Sequence, residues 1–206
     1  MVLFNWILKA INDFLMIRKI FILFAVCTII LSCKANKKAE SQDTNCEIKI
    51  VSKEQGNELV SMYKNVDTSY FFKNQFVEFD KINNGILYFQ KQDGLKFGSF
   101  FTIDFDTNFS ALKKNENFSK VIIVAEEDRK ELKAIWNNLI TESYYQPCKF
   151  AQNHFNTHVL IIKKNNEIVV NYFSPFERPF TVKPTNENCK NTQAIFEIVY
   201  RNFHKQ

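Results

Sequence analysis

A chain of 206 residues in which 46% are hydrophobic and 24% charged carries enough apolar material for a packed core. Its formal net charge of +5 is small and dispersed, which argues against a nucleic-acid-binding surface. There is no Gly-rich phosphate loop, no G-x-S-x-G and no H-E-x-x-H, so nucleotide, acyl-transfer and zinc-peptidase chemistry have no recognisable motif here.

The stretch Met16–Lys34, MIRKIFILFAVCTIILSCK, reads as an address. Met16-Ile17-Arg18-Lys19 is a short cationic start, whose charge stays on the cytoplasmic side. Ile20–Leu31 is an apolar core interrupted only by Thr28. About 12 residues at ~1.5 Å each reach roughly 18 Å, short of a hydrocarbon layer of about 30 Å. A cationic start, a short apolar core and small residues at the cut define a secretory signal. The run Ile30-Leu31-Ser32-Cys33 resembles the lipobox of bacterial lipoproteins, with an aliphatic residue three before the cysteine and a small one just before it. That resemblance implies that Cys33 is alkylated by diacylglycerol, becomes the mature N-terminus, and offers its amine for further acylation. At ~0.8 kcal/mol per buried CH₂, one chain holds marginally and two or more hold stably. Residues 1–15 (MVLFNWILKAINDFL) read as an upstream start extension, since a complete signal begins again at Met16; the alternative is an uncleaved N-terminal anchor. KANKKAESQDTN (34–45) has no apolar periodicity and reads as a lipidated tether together with Cys33, its lysines placed to meet anionic headgroups.

Removing residues 1–32 takes away Lys9, Arg18, Lys19 and Asp13 and leaves 24 basic against 21 acidic residues. Residues 46–206 then suit a single α+β domain. Its cysteines are Cys46, Cys148 and Cys189, and an exported protein permits disulfides. One bridge and one spare thiol are expected; all three pairings are open, and Cys148–Cys189 is the expectation because both lie in polar, turn-like stretches.

In chain order, CEIKIVS (46–52) alternates as a strand does, and Ser52-x-x-Gln55 is a capping-box pattern opening a helix to about Asn65. Gly56 should weaken that helix by about 1 kcal/mol relative to alanine. SYFFKNQFVEFDKI (69–82) is expected to be strand in its second half. Asn83-Asn84-Gly85 and Asp93-Gly94 then punctuate an antiparallel meander, followed by a polar link over 107–119. VIIVA (121–125) predicts a strand, and Glu126-Glu127-Asp128 start a helix carrying Leu132, Ile135, Trp136, Leu139 and Ile140 at helical spacing. HVLIIKK and EIVVNYF flank Asn165-Asn166 as a hairpin, and a helix over about 191–204 ends the chain. A shift of 73 residues lays strand on strand, helix on helix and hairpin on hairpin. The expectation is therefore a mostly antiparallel sheet with helices on one face, built from two duplicated strand–helix–hairpin units (46–106 and 119–173) plus the C-terminal helix.

Three groups of residues stand out chemically. Cys148-x₅-His154-x₃-His158 contains the side chains a thiol nucleophile or metal site uses. The spacing fits no strong zinc signature, so the group reads as structural. The row Thr102, Asp104, Asp106 reads as a solvated strand face. YFSPFERPF (172–180) concentrates Tyr172, Phe173, Phe176, Arg178 and Phe180, residue types that anchor interfaces, and is the candidate partner-binding loop. The expected function is a membrane-anchored, non-enzymatic protein-binding lipoprotein of the assembly-factor, inhibitor or immunity type, facing periplasm or cell surface and needing no cofactor. Its partners would be the lipid bilayer, through acylated Cys33, and a protein, with no nucleic acid. The alternatives are an envelope enzyme using Cys148 with His154 or His158, and the uncleaved anchored form. Mass spectrometry of the membrane fraction should find Cys33 as a lipid-bearing N-terminus, and Cys33→Ala should leave the signal uncleaved or release the domain. An intact Ser32–Lys34 peptide as the major species would refute this.

Overall fold

Two continuous apolar runs dictate the middle of the structure. The computed structural model describes residues 46–66, 70–92, 94–147, 156–175, 179–180 and 182–205. In it β2 (Gly85–Lys91) and β7 (Thr157–Lys164) are buried at consecutive rather than alternate residues. Successive strand side chains point to opposite faces, so such runs need cover on both. The two strands pair antiparallel, with Ile86 opposite Ile162 and Phe89 opposite Val159.

The remaining elements are β1 (Lys49–Val51), α1 (Lys53–Val66), α2 (Tyr70–Asp80), β3 (Ser99–Asp104), β4 (Ser110–Lys114), β5 (Ser119–Ile122), α3 (Glu126–Trp136), β6 (Glu142–Tyr145), β8 (Glu167–Ser174) and α4 (Glu187–Phe203). The strands form one eight-stranded sheet in the order β1-β6-β8-β7-β2-β3-β4-β5. Neighbours are antiparallel except β6 and β8, which run parallel. The fold class is α+β, as expected.

Helices cover both faces of this sheet, not one. Leu87, Phe89, Phe100, Val159 and Ile161 meet Phe76 and Phe79 of α2 on one side. Ile86, Tyr88, Leu160, Ile162 and Tyr172 meet Leu132 of α3 and Ile195, Phe196, Val199 and Phe203 of α4 on the other. α1 lies on the α2 side, where Asn171 of β8 donates to Asn57 Oδ1 at 3.1 Å. Two successive lysines fasten both layers. Lys163 Nζ donates to Asp80 O at 2.9 Å, at the end of α2, and Lys164 Nζ to Trp136 O at 3.2 Å, at the end of α3. A cation at a helix C-terminus satisfies an orphan carbonyl and complements the dipole.

Other expectations are corrected by the same burial logic. Residues 70–80 are helix throughout, because Gln75, Phe76 and Phe79 then fall on one side and bury it. The supposed link over 107–119 contains β4, whose buried Ala111 pairs with Ile103. The structure does not establish the two halves as repeats of one fold. The starts of α1 and α3 do keep the 73-residue shift, but that shift lays α2 on β6. β1 joins β6 at one edge while β5 joins β4 at the other. Trp136 is only half-buried, against Phe105 at 4.2 Å between ring centroids, and the side chain of Tyr63 lies outside the described residues.

Local expectations fare better. Ser52 and Gln55 form the reciprocal capping box, each accepting from the other's backbone N–H at 3.2 Å. Asn165 and Asn166 both adopt positive φ, 53° and 65°, in the two-residue turn between β7 and β8. Asp128 does more than begin a helix. It accepts from Arg201 and, at 2.7 Å, from Asn202 Nδ2, tying α3 to α4. Burial acts to raise its pKa, but these hydrogen bonds and the positive charge of Arg201 and Lys205 hold it below the ordinary carboxylate value. Cys189 is a free, buried thiol in the first turn of α4, so the expected Cys148–Cys189 bridge is not formed; it packs as a small apolar residue. Cys46 is disulfide-bonded to a cysteine outside the described residues. Among the described residues no helix is long and apolar enough to cross a membrane.

Gly56 belongs to packing and not to helix weakness. A Cβ there would lie 2.5 Å from Ser143 Oγ and 2.6 Å from Ser143 Cβ, so α1 approaches β6 only because the side chain is absent. Gly56→Ala should lower stability by about 1–3 kcal/mol through overpacking, against a helix-propensity gain of about 1 kcal/mol. Urea unfolding measures this, and adding Ser143→Gly should recover part of the loss. A higher midpoint for Gly56→Ala alone would contradict the close approach.

Candidate functional site

Cys33, Cys148, His154, Phe176 and Arg178 lie outside the described residues. His158 lies within β7 and is fully buried, with Nδ1 2.8 Å from Tyr88 OH. Burial pushes the Tyr88 phenol well above its ordinary pKa, so it keeps its proton and can donate to Nδ1. Donation in that direction places the imidazole proton on Nε2. His158 faces Gln90 of β2 and Ser174 of β8 across the ladders, and Gln90 faces Ser99 of β3. A polar row, Ser99–Gln90–His158–Ser174, therefore crosses the α4 side of the sheet near one end. Beyond it Gln146 Oε1 accepts from Tyr172 OH at 2.6 Å and from Phe180 N at 3.0 Å.

This setting is structural for His158, since a general base must reach a substrate proton and its ring is sealed in the core. Among the described residues no three His, Cys, Asp or Glu side chains are grouped to hold a metal ion. Asp104 and Asp106 build a turn: Asp106 accepts from Asn84 N and Nδ2, and Asp104 Oδ1 from Asp106 N.

The 172–180 loop reading is corrected at its two ends. Tyr172 and Phe180 are core residues, stacked at 3.9 Å between centroids and packed on Phe196, so they cannot anchor a partner. Phe180 holds φ at 59°, a strained conformation for an aromatic residue, fixed by this stack and by its bond to Gln146. Phe173 is half-buried and stacks on Tyr145 at 5.4 Å.

At the Ser99–Gln90 end, the polar row meets a cleft of about 250 Å³ lined by both residues and by Lys113, Phe118, Phe203 and His204. Lys113 Nζ sits 4.5 Å from the centre of the Phe203 ring. It also faces Lys120 across the β4–β5 ladder. Burial and the Lys120 charge hold the Lys113 amine below its ordinary pKa; burial and the Lys113 charge do the same to the His204 imidazole. His204 is accordingly neutral near neutral pH. No described carboxylate pairs with Lys113 or Lys120.

Beside this cleft runs β5, the last strand of the sheet, paired among the described residues only with β4. Val121 within it stands 68% exposed, and Phe118 and Ile123, just outside its two ends, 42% and 85%. Sequence reasoning missed this region because it placed Lys113 and Phe118 in a link. The strand expected over 121–125 was the available signal, since the β-branched Val121-Ile122-Ile123 follow Ser119-Lys120 with no Gly or Pro to end a strand.

No protein family, curated protein or solved structure matches this chain.

Tyr88→Phe should cost about 1–3 kcal/mol, because it removes the donor to a ring nitrogen that the core seals from water. Urea unfolding checks this. An unchanged midpoint would show that the Tyr88–His158 bond contributes no net stability.

Proposed function

We propose that this chain is a bacterial lipoprotein, held in the cell envelope through acylated Cys33, whose domain binds a protein partner at the β5 edge and performs no catalysis. The observation that carries this reading is the exposed apolar row on an open edge strand. An edge strand presents unpaired N–H and C=O groups, and proteins ordinarily blunt it with charge, proline, shortness or cover. β1, at the other edge, has three residues, with Lys49 ion-paired to Glu47 at 3.0 Å and Ile50 50% exposed. β5 has four residues and carries Lys120 on one side, but on the other it offers the more exposed Val121, and Ile123 just beyond it. A patch of that kind marks an interaction site, and strand addition is a general way of binding an extended segment.

The test is chemical cross-linking of the full-length lipidated protein in its native envelope, beside the double variant Val121→Lys/Ile123→Lys. Wild type should yield a discrete protein adduct, and the variant should lose it while keeping its urea midpoint. An adduct equally strong in both would exclude the β5 edge, and no adduct above background in wild type would exclude the binding-module reading.

A further inference from the structure

We propose that the partner is an extended segment in which acidic and apolar residues alternate, adding to β5 with its acidic side chains toward the Lys113–Lys120 pair and the adjoining cleft. This inference rests on the reading of β5 as the binding edge and adds the chemistry of what binds there.

The alternation follows from the ladder register. Lys113 is opposite Lys120 and Ala111 opposite Ile122, and Ala111 and Ile122 belong to the core under α3 and α4. Lys120 therefore points to the α4 side of the sheet. Val121, opposite Leu112, points to the other side, and both it and Ile123 are exposed. A strand added outside β5 would set alternate side chains beside these two rows. Beside Val121 an apolar residue gains buried area; beside Lys120 an acidic one gains a cross-strand charge pair.

The charge requirement is built into β4 and β5 themselves. Two lysines directly opposite each other on a ladder repel. Neither has a described carboxylate partner, and none of the described residues lining the cleft is acidic. Lys113 is half-buried, which strengthens its field at the cleft mouth. A carboxylate there would meet the Lys113 ammonium, with the Gln90 amide and the Ser99 hydroxyl as further donors, against the rings of Phe118 and Phe203. Size decides between a free ligand and a side chain. At about 250 Å³ the cleft falls below the ~300–1,000 Å³ of typical small-molecule pockets. It suits one acidic side chain carried on a strand that is already paired. A second copy of this chain fits badly, because antiparallel β5–β5 pairing would bring Lys120 and Lys113 toward their own images.

The experiment uses full-length lipidated protein in neutral detergent and three acetylated, fluorescein-labelled octapeptides: alternating Glu-Val, alternating Lys-Val, and a Glu₄Val₄ block of the same composition as the first. Fluorescence anisotropy should show the Glu-Val alternation binding at least about tenfold more tightly than either control, an advantage that high salt reduces. Lys120→Glu, at an exposed position, should reverse the order of the two alternating peptides. Equal binding of block and alternating peptides, or indifference to Lys120→Glu, would overturn the proposal. So would a concentration-dependent dimer that Val121→Lys disperses, since the occupant would then be a second copy. If the envelope adduct still depends on Val121 and Ile123 while the peptides fail to discriminate, the edge reading stands and only the acidic-alternating chemistry falls. If neither depends on β5, both fall.

Discussion

Everything in this domain depends on the need to cover both faces of the β2–β7 ladder. Ile86 through Phe89 and Val159 through Ile162 are apolar without a break, so the pleat sends half of each run to either side. Apolar burial contributes about 25 cal/mol per Å² removed from water, and a wet second face would forgo much of that for Leu87, Phe89, Val159 and Ile161. α2 on one side and α3 with α4 on the other answer this demand. The hairpin turn after β7 locks the answer in place, because consecutive Lys163 and Lys164 reach opposite faces and each closes the end of a helix there. A single pair of charged residues at a turn thus registers both helical layers against one strand.

Much of this was legible where local chemistry is decisive. The capping box at Ser52 and Gln55, the Asn165-Asn166 turn, the β7–β8 hairpin and the amphipathic start of α3 follow from side-chain hydrogen bonding and periodicity over a few residues. What was lost depended on partners distant in sequence. Residues 70–80 are so aromatic that strand and helix compete locally, and only the uncovered face of β2 and β7 selects helix. Gly56 reads as a weak helix position until Ser143, 87 residues later, is seen to occupy the space of its missing Cβ. The continuous burial of β2 and β7 was itself the missed indication, since a sheet with one wet face alternates. The apparent duplication has a similar origin. A strand, a helix and a hairpin in sequence are common enough to align at one shift, yet the strands flanking the centre are reached by different routes in the two halves.

The candidate site was nearly illegible, and electrostatics explains why. Of the residues that drew notice for their chemistry, His158 and Tyr172 went into the core, where Tyr88 meets His158 Nδ1 and Gln146 accepts from Tyr172. Buried polar atoms need partners, so striking side chains inside a sheet often serve satisfaction and not reaction. Lys113 and Lys120, by contrast, are unremarkable in a lysine-rich sequence. They acquire meaning only once β4 and β5 place them opposite each other next to Phe118, Phe203 and His204. The cleft then presents one partly desolvated cation, Lys113, beside the exposed Lys120, with no described carboxylate to neutralise either.

The asymmetry of the two sheet edges is the last step. Both β1 and β5 end the sheet, so both present the same open backbone row and face the same risk of unwanted pairing. β1 is three residues long and carries the ion-paired Lys49, with Ile50 its exposed apolar residue. β5 has charge as well, but on one side only: Lys120 lies on the α4 side while Val121 lies exposed on the opposite side. A strand protected on one face and open on the other rejects basic or uniformly apolar neighbours and still accepts one whose two faces differ. Selectivity of that kind combines an attractive element, the apolar row, with a repulsive one, the paired lysines. Lys113 gains a cation–π contact with the core ring of Phe203, yet the lysine pair costs stability at a ladder position where an oppositely charged residue would have gained it. Recognition by a strand of complementary alternation gives both features a physical purpose.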